Sequence, residues 1–214
     1  MALSPSPEAQ LHATLFDSIG EEYDALFPHK SGQLEAGAWL VERLAPGARV
    51  FDAGSGTGRP TAQMLSARGL EVVGVDASAE MVRIARHHVP RAHFEQGDLC
   101  QLELPERSFD AVTAFFSLLH LSRAQVDAAL QTFSRALLPG GYLLVSLVEG
   151  DCDAMTIPFR NLTARWTAYP QAEFERVLAR AGFKVLRSVA VDFAPASPEL
   201  HPERQLFFYA RKPV

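Results

Sequence analysis

From residue 48 onward, the chain alternates between short apolar runs and longer amphipathic stretches. Runs such as "VVGV" and "YLLVSLV" predict buried strands, and the stretches between them repeat apolar residues at helical spacing. The predicted strands span residues 48–53, 71–75, 92–95, 109–115 and 141–147, and the predicted helices span 59–68, 78–88, 122–137 and 171–181. Because this alternation is typical of a parallel sheet covered on both faces, the predicted fold class is α/β and doubly wound.

The two ends of the chain follow other patterns. The runs "KVLRSVAVDF" and "QLFFYARK" are joined by the proline-rich "APASPELHP", with no helical pattern between them. Two such strands predict an antiparallel hairpin on the otherwise parallel sheet. Before the first strand, Leu34, Ala38, Val41 and Leu44 recur at helical spacing and predict a helix that ends at "APG".

Composition narrows the class of protein. The chain has 214 residues, 48% of them hydrophobic, and a net charge of −5, which favours one domain with a substantial core. Its lysines and arginines are scattered, so we expect no nucleic-acid partner. Cys100 and Cys152 lie far apart and outside any metal-ligand spacing, so we expect neither a disulfide framework nor a metal site. No signal-like start or membrane-length apolar run is present, so we expect a cytoplasmic protein without a membrane partner.

A glycine-rich segment, "VFDAGSGTGRP" at residues 50–60, is the first candidate ligand site. Glycines adopt positive φ angles and carry no Cβ, so they let the main chain turn sharply and approach a ligand. Dinucleotide-binding loops follow the pattern G-x-G-x-x-G, whereas this loop has Gly54 and Gly56 followed by Arg59 at the third position. The spacing, together with the lack of a Tyr-x-x-x-Lys pair, disfavours a nicotinamide-dependent oxidoreductase.

Acidic residues end three of the predicted strands, at the edge where ligands bind in open α/β sheets. Asp76 is placed to accept hydrogen bonds from ribose hydroxyls. Asp98 is suited to an exocyclic amine such as that of adenine, with Leu99 and Met81 offering apolar contact to the ring. For Met81 the alternative is core packing. For Asp52 the alternative is that its carboxylate holds the backbone amides of the glycine loop.

Five ordered motifs resemble those of class I S-adenosylmethionine-dependent methyltransferases: "VFDAGSGTG", "VVGVDASAEMVRIAR", "EQGDL", "FDAVTAFFSLLHL" and "LLPGGYLLVSL". The tail also resembles this family's final helix and antiparallel hairpin, with the last strand inserted beside the fifth. The resemblance implies a Rossmann-like, mostly parallel sheet of seven strands. It also implies an N-terminal helical lid at 1–45 and an S-adenosylmethionine-binding domain at 46–214, with a substrate-side insert at 151–169.

The same resemblance implies roles for individual residues. Gly54 and Gly56 would approach the methionine moiety of S-adenosylmethionine, Asp76 would hold the ribose, and Phe115 would lie against the cofactor after the fourth strand. Asp98 and Leu99 match the family's adenine-site pair. The segment "FDSIGEEYDALFP" resembles a lid that brings its tyrosine, Tyr23, toward the methionine carboxylate. The alternative is that Tyr23 only packs the first helix.

Methyl transfer from a sulfonium needs positioning and exclusion of water, and it requires neither a metal nor a covalent nucleophile. A hydroxyl acceptor benefits from a base, and His120 after the fourth strand is the best-placed candidate, with an ordinary pKa near 6.5. Glu149 or Asp151 are candidates for orienting it. The alternative is that His120 caps a helix or packs in the wall.

The predicted acceptor is a small, apolar or aromatic metabolite that is methylated on oxygen. The motifs of adenine amino-methylases and metal-dependent catechol methylases are missing after the fourth strand. The insert supplies residues that would wall an apolar pocket, or alternatively pack the insert onto the domain: Met155, Ile157, Phe159, Trp166 and Tyr169. Methylation of nitrogen or carbon, and cofactor binding without transfer by a cyclase or scaffold, stay open, as does the choice between monomer and homodimer.

Overall fold

In a computed structural model, the structure describes residues 6–28, 30–159, 161–194 and 202–214, apart from the side chains of residues 7 and 8. Most of the proline-rich link before the last strand therefore lies outside the described residues, as does the start of the chain. No helix formed by the described residues is long and apolar enough to cross a membrane.

The described residues form alternating helices and strands. The helices are α1 (Pro7–Ile19), α2 (Tyr23–Leu26), α3 (Ser31–Val41), α4 (Thr61–Ala67), α5 (Ala79–His88), α6 (Arg123–Ala136) and α7 (Gln171–Arg180). The strands are β1 (Arg49–Ala53), β2 (Glu71–Asp76), β3 (His93–Gln96), β4 (Phe109–Phe115), β5 (Leu137–Val148), β6 (Cys152–Phe159), β7 (Leu162–Ala168), β8 (Lys184–Phe193) and β9 (Glu203–Arg211). Short 3₁₀ turns span Gly20–Glu22 and Leu118–His120.

Seven strands form one sheet in the order β3-β2-β1-β4-β5-β9-β8. The first five strands pair in parallel, and β9 pairs antiparallel with both β5 and β8. The prediction of a doubly wound α/β sheet with an antiparallel C-terminal hairpin is thus confirmed. The strand order reverses between β1 and β4, and this switch point is where open α/β sheets bind their ligands.

Helices cover both faces of the sheet. On one face, α6 and α7 bury residues such as Leu130 and Phe174 against the strands. On the other face, α3, α4 and α5 bury residues such as Leu40, Leu65 and Val82. These two apolar layers explain why the central strands are hydrophobic throughout their length.

The predicted helix before β1 is present, and of its four predicted apolar residues Val41 and Leu44 pack against the core, whereas the other two do not. Leu34 is 46% exposed and Ala38 is also exposed, whereas Ala36 and Leu40 are buried. The helix carries apolar residues on more than one side, so their spacing did not determine which side packs. Contact with α4 and β9 selects the strip that contains Ala36 and Leu40.

The insert at 151–169 forms an antiparallel hairpin of β6 and β7, separate from the main sheet. Helix α1 packs against β7 on one side and α5 on the other. The N-terminal segment therefore lies between the hairpin and the main sheet's helices, next to the carboxyl ends of the strands.

Candidate active site

Backbone hydrogen bonds and glycines with positive φ angles fix the conformation of the loop after β1. The amides of Gly54 and Ser55 donate to the carbonyl of Val75, at 2.8 and 3.0 Å. Gly54 has a φ of 73° and Gly56 a φ of 50°. A Cβ on Gly54 would lie 2.3 Å from the Cβ of Ser117, so the protein's own packing requires glycine there.

Asp76, at the end of β2, joins this loop to the start of α5. Its Oδ2 accepts from the Gly56 amide at 2.9 Å, and its Oδ1 accepts from the Ser78 amide at 2.9 Å. Burial raises the pKa of Asp76, and these amide bonds oppose the shift. Each carboxylate oxygen keeps a further lone pair, so Asp76 can still accept from a ligand's hydroxyl groups.

Two cavities open at this edge of the sheet. The larger is lined by nine of the residues predicted from the sequence: Tyr23, Gly54, Gly56, Asp76, Met81, Asp98, Leu99, Phe115 and His120. The smaller is lined by the tenth, Asp52, and shares Tyr23, Gly54, Gly56 and Phe115 with the larger cavity. The predicted residues therefore surround one continuous region at the switch point.

At one end of the larger cavity lies Asp98. Its Oδ1 accepts from the Cys100 amide at 2.8 Å, and its Oδ2 accepts from the Ser6 amide at 3.0 Å. Ser6 is the N-cap of α1, so the first helix begins directly over this acid. Met81 is 1% exposed and also lines the cavity, so it serves the core and the cavity wall at once.

Asp52 faces the smaller cavity with one oxygen unpaired. Its Oδ1 accepts from the Thr113 hydroxyl at 2.6 Å, and its buried Oδ2 has no hydrogen-bond partner among the described residues. The glycine-loop amides bond to Val75 and Asp76 instead, so the alternative role for Asp52 as a cap of that loop was wrong. Burial raises the pKa of Asp52 to about 6, with Thr113 opposing the shift and nearby Asp76 adding to it.

Two cationic residues, Lys30 and Arg59, line the same small cavity. The Lys30 Nζ lies 4.7 Å from the centre of the Tyr23 ring and 3.8 Å from a carboxylate oxygen of Asp24. Sequence reasoning missed Lys30 and used Arg59 only to exclude a dinucleotide. Together with Asp52, these residues give the cavity an anion and two cations, which is the set that a zwitterionic amino-acid group requires.

His120 lies in the 3₁₀ turn after β4, and its Nδ1 is 3.2 Å from the main-chain carbonyl oxygen of Arg165. A carbonyl only accepts, so Nδ1 carries the proton and Nε2 keeps its lone pair. Burial lowers the pKa of His120 to about 3, the neighbouring His12 adds to the shift, and the Arg165 carbonyl opposes it. The expected pKa near 6.5 was therefore wrong.

The two acids predicted to orient His120 are engaged elsewhere. Glu149 lies 3.4 Å from the Arg204 guanidinium, and Asp151 lies 2.6 Å from that of Arg123. The prediction that either acid orients His120 was wrong, because the Arg165 carbonyl of the insert hairpin occupies that position.

The apolar residues of the insert do not line either cavity, so that part of the prediction was also wrong. Ile157 and Phe159 pack with α1, while Tyr169 is buried against Phe174. Met155 is 49% exposed. Trp166 packs next to the site, with its ring centre 6.5 Å from that of His120.

Several cavity residues were missed by sequence reasoning. Ala9, His12 and Phe16 come from one face of α1, and their helical spacing is the signal that would have grouped them. Phe116 adopts a φ of 53°, and its amide donates to the carbonyl oxygen of Ser146 at 3.1 Å. A bulky residue at such an angle marks backbone strain at the cavity.

Comparison with known proteins agrees with this geometry. A family model described as "Methyltransferase domain" matches residues 50–141, which run from β1 into β5. Over this stretch the chain is similar to methyltransferase domains. It is 28% identical to an O-methyltransferase of Penicillium expansum, over 97% of this chain and 83% of that protein.

Solved structures of the same fold cover nearly the whole chain. The [4+2]-cyclase SpnF matches with a TM-score of 0.75 and 21% identity, over 100% of both chains. The 1,6-didemethyltoxoflavin-N1-methyltransferase of Burkholderia thailandensis matches with a TM-score of 0.74 and 24% identity, over 100% of this chain and 92% of that one. The chain also matches demethylmenaquinone methyltransferases, of whose length it spans 57–66%.

The residues around both cavities fit S-adenosylmethionine, the cofactor that the resemblance implies. The unpaired, buried Oδ2 of Asp52 suits the cofactor's ammonium group, and Lys30 and Arg59 suit its carboxylate. Asp76 and Asp98 have lone pairs free for the ribose and the adenine amine. Among the described residues, no group of three or more potential ligands is arranged to hold a metal ion.

Proposed function

We propose that this protein transfers the methyl group of S-adenosylmethionine to an oxygen of a small, apolar or aromatic metabolite. The observation that carries the proposal is that His120 lines the same cavity as Gly54, Gly56 and Asp76. Nε2 of His120 is the ring nitrogen left to accept a proton, because Nδ1 is held by the Arg165 carbonyl. The name of the Penicillium relative, an O-methyltransferase, supports an oxygen acceptor.

In this proposal, the cofactor supplies an activated methyl group and the chain supplies the surroundings. Asp52, Lys30 and Arg59 hold the amino-acid end, and Asp76 holds the ribose. Phe115 and other apolar residues of the cavity exclude water. His120 accepts the hydrogen bond of the acceptor hydroxyl, which orients the oxygen and draws its proton away as the new bond forms.

The low pKa of His120 determines how this group can act. A neutral imidazole is the dominant form throughout the physiological range, so it is always ready to accept. It is also a weak base, so proton transfer must accompany methyl transfer rather than precede it. We therefore expect His120 to cause no fall in the wild-type rate between pH 8 and pH 5.

Replacement of His120 tests the proposal. The protein is incubated with deuterated-methyl S-adenosylmethionine and a panel of small phenols, anilines and a metabolite extract, and methylated products are identified by mass spectrometry. His120→Ala should lower turnover of phenols by ~10²- to 10⁴-fold, while His120→Asn recovers little. S-adenosylhomocysteine affinity, measured by calorimetry, should stay near that of wild type.

The products distinguish the competing functions. Methyl ethers support the proposal, whereas methylamines would assign nitrogen methylation, the activity named for the Burkholderia neighbour. Tight S-adenosylhomocysteine binding without any labelled product would favour a role without methyl transfer. The full-length similarity to a [4+2]-cyclase makes that role the second candidate.

A further inference from the structure

A second histidine lies beside His120 and is not explained by the fold. His12, on α1, is 6% exposed, and neither of its ring nitrogens has a hydrogen-bond partner among the described residues. Its ring centre lies 4.7 Å from that of His120, and both rings line the larger cavity. A buried polar group without a partner is costly, so its retention at a cavity wall points to a ligand that completes it.

Helix α1, which carries His12, is held by hydrogen bonds at both of its ends. At the start of α1, the Ser6 amide donates to Asp98 at 3.0 Å. Near its end, Asp17 accepts from the Ser78 hydroxyl at 2.5 Å and from the Glu80 amide at 3.1 Å. A helix held at both ends presents His12 in a defined orientation, as recognition by a hydrogen bond requires.

The two imidazoles together set a pattern of donors and acceptors. His120 has one nitrogen open, an acceptor, since its other nitrogen is bound to the Arg165 carbonyl. Burial lowers the pKa of His12 to about 4, and the charge of Arg165 adds to the shift. The main-chain carbonyl of His120, which lies near the ring but outside hydrogen-bond geometry, opposes it. His12 is therefore neutral and offers one donor and one acceptor.

We propose, resting on the function proposed above, that His12 binds a second oxygen of the methyl acceptor, adjacent to the oxygen that His120 orients. The acceptor is then an ortho-dihydroxy or hydroxy-carbonyl aromatic compound rather than a simple phenol. Phe16, whose ring centre is 5.2 Å from that of His120, adds an aromatic surface at the same end of the cavity. The substrate's ring would lie among these side chains.

A competition assay tests this inference. Equal concentrations of catechol and phenol are offered to the protein with deuterated-methyl S-adenosylmethionine, and the product ratio gives the ratio of kcat/KM. Wild type should prefer catechol at least ~10-fold, the effect of about one hydrogen bond. His12→Phe should reduce that preference to about twofold while it retains methylation of phenol. His12→Gln should restore part of it.

Controls separate recognition from folding. His93→Phe makes the same substitution at an exposed histidine on β3 and should leave the preference unchanged. Calorimetry with S-adenosylhomocysteine should give every variant the affinity of wild type. If His12→Phe keeps the catechol preference, or if wild type shows none, the inference is overturned.

A binding measurement distinguishes failure of this inference from failure of the proposed function. Catechol or phenol is titrated into the S-adenosylhomocysteine complex, and the histidine ring resonances are followed by NMR. A shift of His12 with catechol but not with phenol supports the inference even when no methyl group is transferred. Shifts confined to His120 overturn it and leave the proposed function standing. If neither catechol nor phenol shifts the resonances of His12 or His120, both the inference and the proposed function are contradicted.

Discussion

Asp52 is the residue whose charge state should control cofactor binding. Burial raises its pKa to about 6, and its Oδ2 has no hydrogen-bond partner among the described residues. Asp52 lines the cavity proposed for the amino-acid end of the cofactor. An ammonium group next to this oxygen favours the carboxylate, so the affinity rises as pH rises through 6 and falls as pH drops below it. Between pH 7 and pH 5 we expect S-adenosylhomocysteine affinity to fall about tenfold.

Asp52→Asn provides the control for that pH dependence. The asparagine variant should bind more weakly at pH 7.5 and should lose most of the change between pH 7 and pH 5. Isothermal titration calorimetry at several pH values measures both effects. Because the pKa of Asp76 is also raised, a pH dependence that survives in Asp52→Asn would assign the titration to Asp76 instead.

At the scale of elements, we expect α1 and α2 to act as a lid whose attachment depends on a few polar contacts. Asp17 joins the end of α1 to the start of α5 through Ser78 and the Glu80 amide. The part-buried hydrogen bond from Ser78 should contribute about 1.5–3 kcal/mol, and the exposed one from the Glu80 amide should add little. Asp17→Ala should therefore increase hydrogen exchange of the α1 amides by roughly 10- to 150-fold, as mass spectrometry would measure.

A nearby ion pair supplies a matched control. Glu21 contacts Arg83 at 3.0 Å, but both side chains are more than half exposed. Solvent screens such pairs, so Glu21→Ala should leave exchange of α1 unchanged. Equal exchange rates in the Asp17 variant and wild type would mean that packing against β7, rather than Asp17, holds the helix.

At the scale of the whole molecule, the final strand is the element on which the sheet depends. Strand β9 lies between β5 and β8 and buries four large side chains: Leu206, Phe207, Phe208 and Tyr209. Burial of one such side chain contributes about 1.5–3 kcal/mol, so the four together match the entire stability of a typical domain. A chain that ends at Ala194 should therefore show no cooperative unfolding transition in urea.

Removal of the last residue alone is the matched control. Val214 is fully exposed, so its deletion should leave the urea midpoint unchanged. A cooperative transition of normal midpoint in the chain that ends at Ala194 would show that β1 to β5 with their helices fold without β9. Circular dichroism follows both transitions.

The sequence by itself determined the features that depend on near neighbours along the chain. Apolar periodicity predicted the α/β alternation, and the glycine loop with Asp76 located the candidate site, because strand ends and turns are specified by residues a few positions apart. Ordered motifs resembled those of class I S-adenosylmethionine-dependent methyltransferases, and this resemblance predicted the place of β9 beside β5. The ten predicted site residues consequently surround two adjoining cavities.

Tertiary structure alone decided which distant residues are in contact and which pKa values are shifted. Packing selected the buried side of α3, brought His12 next to His120, and placed the Arg165 carbonyl where an acid was expected. None of these pairings leaves a periodic signal, because the partners come from elements far apart in the chain. The same burial shifted the pKa of His120 to about 3, since desolvation depends on the surrounding fold and not on the residue's type.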